Sequence, residues 1–339
     1  MTGRSFALSM LDLALVRRGQ RPRDAFDNSV RMARTAEACG YERIWYAEHH
    51  NMGSIASAAP AVLIAHVAAH TDSIRLGAGG VMLPNHSPLV IAEQFGTLAE
   101  LHPGRIDLGL GRAPGTDQVT WRALRRDPAA AERFPQDVLE LQGYLSGESR
   151  IPGVKAHPGA GTSVPLHILG SSLFGAQLAA RLGLPYAFAS HFAPRALREA
   201  VARYRHEFRP SEQLAEPYVI AGANAVAAES ADEADAEFER VLRSRVARFL
   251  VRDRELSEEE IDALVASPQG QQIAGMMRYT MVGTSEQVAD QLHDFAVHAD
   301  ADEIMLAFAT ADIGPRLRAM ELVADGVRAR RSHRRLRDA

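Results

Sequence analysis

The chain has 339 residues, 46% of them hydrophobic and 24% charged, with a formal net charge of −4. That balance excludes a largely disordered chain, and the acidic sign argues against a nucleic-acid binder, which needs a basic face. A single cysteine, Cys39, permits no internal disulfide and fits a reducing compartment. No secretory signal pattern and no run of ~18 apolar residues is present, so a cytoplasmic protein without a membrane span is expected.

Short apolar runs recur along the chain, each followed by a helical pattern. A strand near 6–12 leads into an amphipathic stretch at 24–39, which Gly40 terminates. Strands near 43–47, 74–82 and 106–110 alternate with helices near 57–70, 88–101 and 135–146. Strands near 166–170, 186–190 and 219–226 follow, with helices near 174–182 and 194–207 and several within 231–298. Thr284-Ser285-Glu286-Gln287 has the spacing of a capping box, and a final strand near 303–308 precedes a helix near 313–328. Strands alternating with helices imply parallel pairing, and their continuous apolar character suits burial on both faces. Eight such units predict an α/β fold, a (β/α)8 TIM barrel rather than an open doubly wound sheet. Residues 147–164 form an insertion after strand four. A second, at 249–282 between strands seven and eight, has the length of a lid. One domain over 1–330 is expected, followed by a basic tail at 331–339. The six arginines between Arg328 and Arg337 read as a solvated, frayed end.

Barrels of this type carry their chemistry at the C-terminal ends of the strands. Those ends hold Asp12, Glu48-His49-His50, Gly79-Gly80 with Asn85-His86, Gly111-Arg112, Ser171-Ser172, Ser190-His191, Asn224 and Thr310. The pattern predicts one composite pocket, with Leu11, Asp12, Met52, Met82, His86 and His191 among its walls. Adjacent side chains on an extended segment face opposite ways, so His49 and His50 do not readily share an ion. No cysteine or HxxxH spacing adds a ligand, and no metal is expected. A general base, a cofactor-binding histidine and a structurally satisfied one all remain open there. Gly79-Gly80 ends an aliphatic strand. It marks either a structural bulge or a surface on which a flat ring can rest. Gly109-Leu110-Gly111-Arg112-Ala113-Pro114-Gly115 resembles a dinucleotide loop, but Pro114 blocks the helix that should open there; Arg112 remains as a donor suited to a phosphate. Gly170-Ser171-Ser172-Leu173-Phe174-Gly175 joins a strand to a helix start. It is either a phosphate cradle or an ordinary serine N-cap.

Leu8-Ser9-Met10-Leu11-Asp12, Tyr46-Ala47-Glu48-His49-His50-Asn51, the run from Gly79 to Pro88 and the run from His102 to Asp117 resemble the bacterial luciferase-like, flavin-dependent monooxygenase superfamily. The resemblance spans the whole barrel, strongest over 5–120 and weakest over 240–285. It implies an FMN whose ring packs on a bulge with a non-prolyl cis peptide, here Gly79–Gly80. The phosphate would sit on Arg112, Ser171, Ser172 and Gly175, Glu48 would approach the ring edge, and His49 would be the catalytic histidine. Gly111 stands where luciferase α chains carry a reactive cysteine, which weakens any expectation of light emission or aldehyde specificity. The implied reaction takes reduced FMN (FMNH2) from a separate NAD(P)H:flavin reductase. O2 then gives a C4a-(hydro)peroxide that oxygenates a small organic substrate. A homodimer is implied as well. The competing expectations are an F420-dependent dehydrogenase, a non-catalytic flavin-binding homologue and, more distantly, a metal-dependent barrel hydrolase.

Overall fold

A computed structural model describes residues 5–17, 19–113, 116–251 and 256–338, with the side chains of 128 and 334–338 left out. Pro114, which argues against a dinucleotide loop, lies outside the described residues.

The elements run in chain order as β1 (Ala7–Asp12), α1 (Pro22–Ala38), β2 (Arg43–Tyr46), α2 (Pro60–Ala68), β3 (Arg75–Met82) and α3 (Pro88–Leu101). They continue with β4 (Ile106–Gly111), α4 (Gln118–Ala123), α5 (Phe134–Ser146), β5 (Leu166–Gly170), α6 (Leu173–Leu182), β6 (Tyr186–Phe188) and α7 (Leu197–Glu207). Then come β7 (Val219–Ala227), α8 (Ala231–Leu250), α9 (Glu258–Ala266), α10 (Pro268–Met276), β8 (Thr280–Gly283), α11 (Ser285–Ala299), β9 (Glu303–Phe308) and α12 (Ile313–Asp338). The strand order is β6-β5-β4-β3-β2-β1-β9-β7-β8, with β6 also hydrogen-bonded to β7, the arrangement of a closed parallel (β/α)8 barrel. By contact density the chain divides into two compact units, one of Ser9–Phe188 with Glu199–Val219, the other of Met1–Leu8, Ala189–Arg198 and Ile220–Ala339.

In the first unit β2 and β4 are buried along their whole length, as strands covered on both faces must be. Helix α1 starts with Pro22 at its first position, while Asp24 accepts a hydrogen bond from the Arg21 amide at 2.8 Å. It buries Ala25, Ser29, Val30, Ala33 and Ala36 on one stripe, and Gly40 leaves it at φ +76°. The β3–β4 register runs Ala78↔Leu108 and then Val81↔Leu110, so Gly79 and Gly80 together oppose Gly109. That extra residue is a β-bulge. Below it the barrel interior holds an ion-pair cluster. Asp107 Oδ2 accepts from Arg43 at 2.6 Å, and Asp107 Oδ1 accepts from Arg75. Burial pushes the Asp107 carboxyl up, but the charges of Arg43, His167 and Arg75 outweigh it and hold it below the usual range.

In the second unit β7 is buried at all nine positions and pairs with β9 from Ile220↔Glu303 to Ala225↔Phe308. The capping box at 284–287 is present: Thr284 caps α11, and its own amide donates to Gln287 Oε1 at 2.9 Å. Strand β8 was not expected. Its four residues add to β7 at Asn224↔Thr280 and carry too short an alternation to stand out within a helical stretch. The 249–282 insertion contains α9, α10 and β8, while 252–255 lie outside the described residues. The C-terminal end is helical through Asp338. Arg328 pairs with Asp325, Arg330 with Asp290, and Arg331 donates to the Phe6 carbonyl.

Candidate functional site

Glu48 follows β2 and is fully buried, with both carboxylate oxygens hydrogen-bonded. Its Oε1 lies 2.8 Å from both His50 Nε2 and His86 Nε2, and its Oε2 accepts the Met82 amide at 3.1 Å. Burial pushes its pKa up, yet the hydrogen bonds from His50, His86 and Met82 prevail and hold it below the usual carboxylate value. The bond to Glu48 raises His50 above the ordinary histidine value. The alternation that separates His49 from His50 places His50 on the same side as Glu48, two residues away, and His86 arrives from the turn after β3. These three groups lie within 4.8 Å of one another, a ligand set that sequence spacing did not suggest. Hydrogen bonding through the two Nε2 atoms accounts for the contacts among them. His49 itself is half-buried and donates its backbone N–H to the Ser57 carbonyl at 3.4 Å.

The signs of these shifts set a pH dependence. Glu48 contributes stability that is present above its ordinary pKa and lost as pH falls through its lowered one. His50 contributes stability that is complete below 6.5 and lost as pH rises through its raised value. His50→Gln should therefore flatten the fall in thermal midpoint above pH 6.5. Parallel midpoint-versus-pH curves for the variant and the wild type would contradict this.

The bulge lies directly beside the Glu48 cluster. The Gly79–Gly80 peptide is cis, as the family resemblance implied. A Cβ on Gly80 would come within 2.7 Å of the Gly109 carbonyl oxygen, so only glycine lets β3 and β4 approach this closely. Gly80 is buried, whereas Gly79 and Met82 keep part of their surface open. Gly111, the last residue of β4, faces Met82. A Cβ there would meet the methionine sulfur at 2.9 Å, a contact that a shift of the flexible Met82 side chain would relieve. Leu11 and Asp12 end β1 and are both buried. Asp12 spends its oxygens on the Ser29 hydroxyl at 2.5 Å and the Ala14 amide at 2.8 Å.

Across from the bulge, β5 runs through Gly170 and the exposed Ser171 and Ser172 into α6. Ser172 occupies the N-cap position but makes no side-chain capping bond, so an ordinary serine cap does not explain the motif. The first amides of α6 are therefore not satisfied by that side chain. Arg112 lays its guanidinium 4.2 Å from the centre of the Phe174 ring, at the first turn of the same helix. Gly175 is buried against the Tyr186 ring, whose hydroxyl donates to the Ser172 carbonyl at 3.0 Å, fixing the loop. Phe174, the platform for Arg112, was not singled out by sequence reasoning. Its position inside a glycine-serine loop was the available signal.

His191 belongs to the second unit. The Asn224 amide there donates to its carbonyl at 2.8 Å. Burial lowers its pKa to about 4, with Arg245 adding to the effect, so it is neutral at pH 7. Ser190, Asn224 and Thr310 lie in the same unit, and the remaining residues named for the site lie in the first.

Among the described residues no helix is long and apolar enough to cross a membrane. A family model described as luciferase-like monooxygenase matches residues 6–302. A luciferase-like monooxygenase of Escherichia coli (strain K12) is 46% identical over 332 residues, covering 96% of this chain and 98% of that protein. N-acetyl-S-alkylcysteine monooxygenase of Bacillus subtilis (strain 168) is 40% identical over 187 residues, 54% of this chain and 56% of that protein. Among solved structures, apo-MsnO8 superposes with a TM-score of 0.86 at 35% identity, covering 96% of this chain and 99% of that one.

Proposed function

The chain belongs to the luciferase-like monooxygenase family, and we propose that it is an FMN-dependent oxidoreductase that uses O2 to oxygenate a small organic molecule. The observation that carries the cofactor assignment is the start of α6. A helix N-terminus without a side-chain cap sits beside an arginine stacked on its first turn. Free N–H groups, the positive end of the helix dipole and a permanently charged guanidinium suit one phosphate monoester. The half-open Gly79 surface on the bulge offers a flat backbone shelf for the ring system. In this reading Arg112, Ser171 and Ser172 hold the phosphate, while Gly79, Gly80 and Gly111 line the ring site. Gly175 lets α6 approach β6.

Reduced FMN, delivered by a separate NAD(P)H:flavin reductase, would supply the electrons that activate O2 for transfer of one oxygen atom. The protein's own part is positional and electrostatic. Glu48 fixes the amide of Met82, two residues past the bulge, and holds His50 and His86 around one oxygen. Since its pKa is depressed, Glu48 stays ionised and anchors the shelf rather than giving up a proton. His49, the remaining histidine of the motif, moves the proton that oxygen transfer requires. Leu11, Asp12, Met82 and His86 border the substrate. The N-acetyl-S-alkylcysteine named for the Bacillus relative is the first substrate to test.

Arg112→Ala should weaken FMN binding roughly 10- to 100-fold, the cost of losing a hydrogen bond from a charged donor. Flavin fluorescence titration measures this directly. An unchanged Kd would mean that the phosphate lies elsewhere, and tighter binding of F420 than of FMN by the wild type would overturn the cofactor assignment.

A further inference from the structure

The second unit contains an arginine that no acidic side chain among the described residues neutralises. Arg245, on α8, makes no ion pair among the described residues, and its Nε is buried without a hydrogen-bond partner. The neighbouring arginine Arg243 behaves in the ordinary way, paired with Glu258 and Asp262. A buried donor left unmet is costly, so such a group is expected to have a partner in its working state. His191 is electrostatically close, since the Arg245 charge helps keep its imidazole neutral. His191 Nδ1 is likewise buried with no partner, and the Thr310 hydroxyl beyond β9 is a third such atom. The Asn224 bond to the His191 carbonyl fixes that loop from β7, and Asn224 pairs with Ala307 near the end of β9. His191 follows β6 and Thr310 follows β9, at the strand ends where this fold places its chemistry.

Two aromatic rings flank the cluster. The Arg245 guanidinium lies 5.7 Å from the Phe249 ring centre, and Phe249 is 56% exposed. The His191 ring meets Phe192 edge-on at 5.2 Å, and Phe192 is 40% exposed. Exposed rings beside an unpaired arginine suit a molecule with an apolar body and one anionic end.

We propose that Arg245 and His191 form a binding site for the oxyanion group, carboxylate or sulfonate, of a small amphiphilic substrate, with Phe192 and Phe249 against its apolar part. The proposal rests on the enzymatic reading above for the word substrate, but the binding itself does not depend on flavin. Calorimetric titration of the full chain without flavin, using butyrate, propane-1-sulfonate and the neutral butyramide, tests it. One of the two anions should bind at least tenfold more tightly than butyramide, and which one does so identifies the head group. Arg245→Gln should erase that preference while leaving the FMN Kd unchanged, which also shows that the variant is folded. Arg243→Gln, which breaks only a surface pair, should keep the preference. Equal binding of butyramide and both anions, or an anion preference that survives Arg245→Gln, would overturn the proposal. Failure of FMN to bind at all would strike the cofactor reading instead.

Discussion

His49→Ala should leave FMN affinity unchanged and lower turnover ~100- to 10,000-fold, the range supplied by a positioned acid–base group. Glu48 is ionised and engaged by three donors, so it has no proton to give. His50 and His86 each point Nε2 at Glu48 Oε1. His49 is outside that arrangement and half-buried. His50→Ala is the matching control. It removes one donor from Glu48, so it should disturb the Met82 amide and the shelf, weakening FMN binding together with turnover. Steady-state rates and flavin titrations on both variants separate the two roles. A His49→Ala enzyme with wild-type turnover would remove His49 from the mechanism.

The largest loss of stability should come from Asp107→Ala. Asp107 is completely buried and accepts from Arg43, whose side chain is almost as buried, and from Arg75. Truncation removes the close buried partner of Arg43 and leaves the 4.0 Å contact to half-exposed Glu42, a loss of the kind that costs about 3–5 kcal/mol, far more than such a pair contributes relative to a packed apolar substitute. The thermal midpoint should therefore fall steeply. Arg318→Ala, which breaks an exposed contact to Glu229 and Glu321, should barely move it. Equal midpoints for the Asp107 and Arg318 variants would show that the interior cluster does not hold the barrel together.

Much of this architecture was legible in the sequence because barrel strands are buried on both faces and so appear as unbroken apolar runs; those at 166–170 and 303–308 coincide with β5 and β9. Short elements were not legible. β8 has four residues and α4 has six, too few for a period to emerge. The helical path of the tail was not legible for a different reason. Its arginines read as solvated charge, and Arg328, Arg330 and Arg331 are exposed, while partners at Asp290 and Phe6, far away in sequence, help hold part of it as helix. At the site, the bulge at Gly79-Gly80 and the α6 start were visible as glycine and serine out of place. The Glu48–His50–His86 cluster was not, because it depends on His86, 38 residues from Glu48, being brought back by the turn after β3. The same holds for Arg245, since a buried Nε with no hydrogen-bond partner among the described residues leaves no mark on the sequence.

The central claim is that this barrel binds reduced FMN and controls its reaction with O2. Stopped-flow absorbance of the protein, loaded anaerobically with one equivalent of FMNH2 and then mixed with O2, tests it most directly. Reoxidation should follow a time course set by the protein, distinct from that of free reduced FMN, and Arg112→Ala should shift it toward the free-flavin course. Reoxidation indistinguishable from free FMNH2 with the wild-type protein would contradict the account.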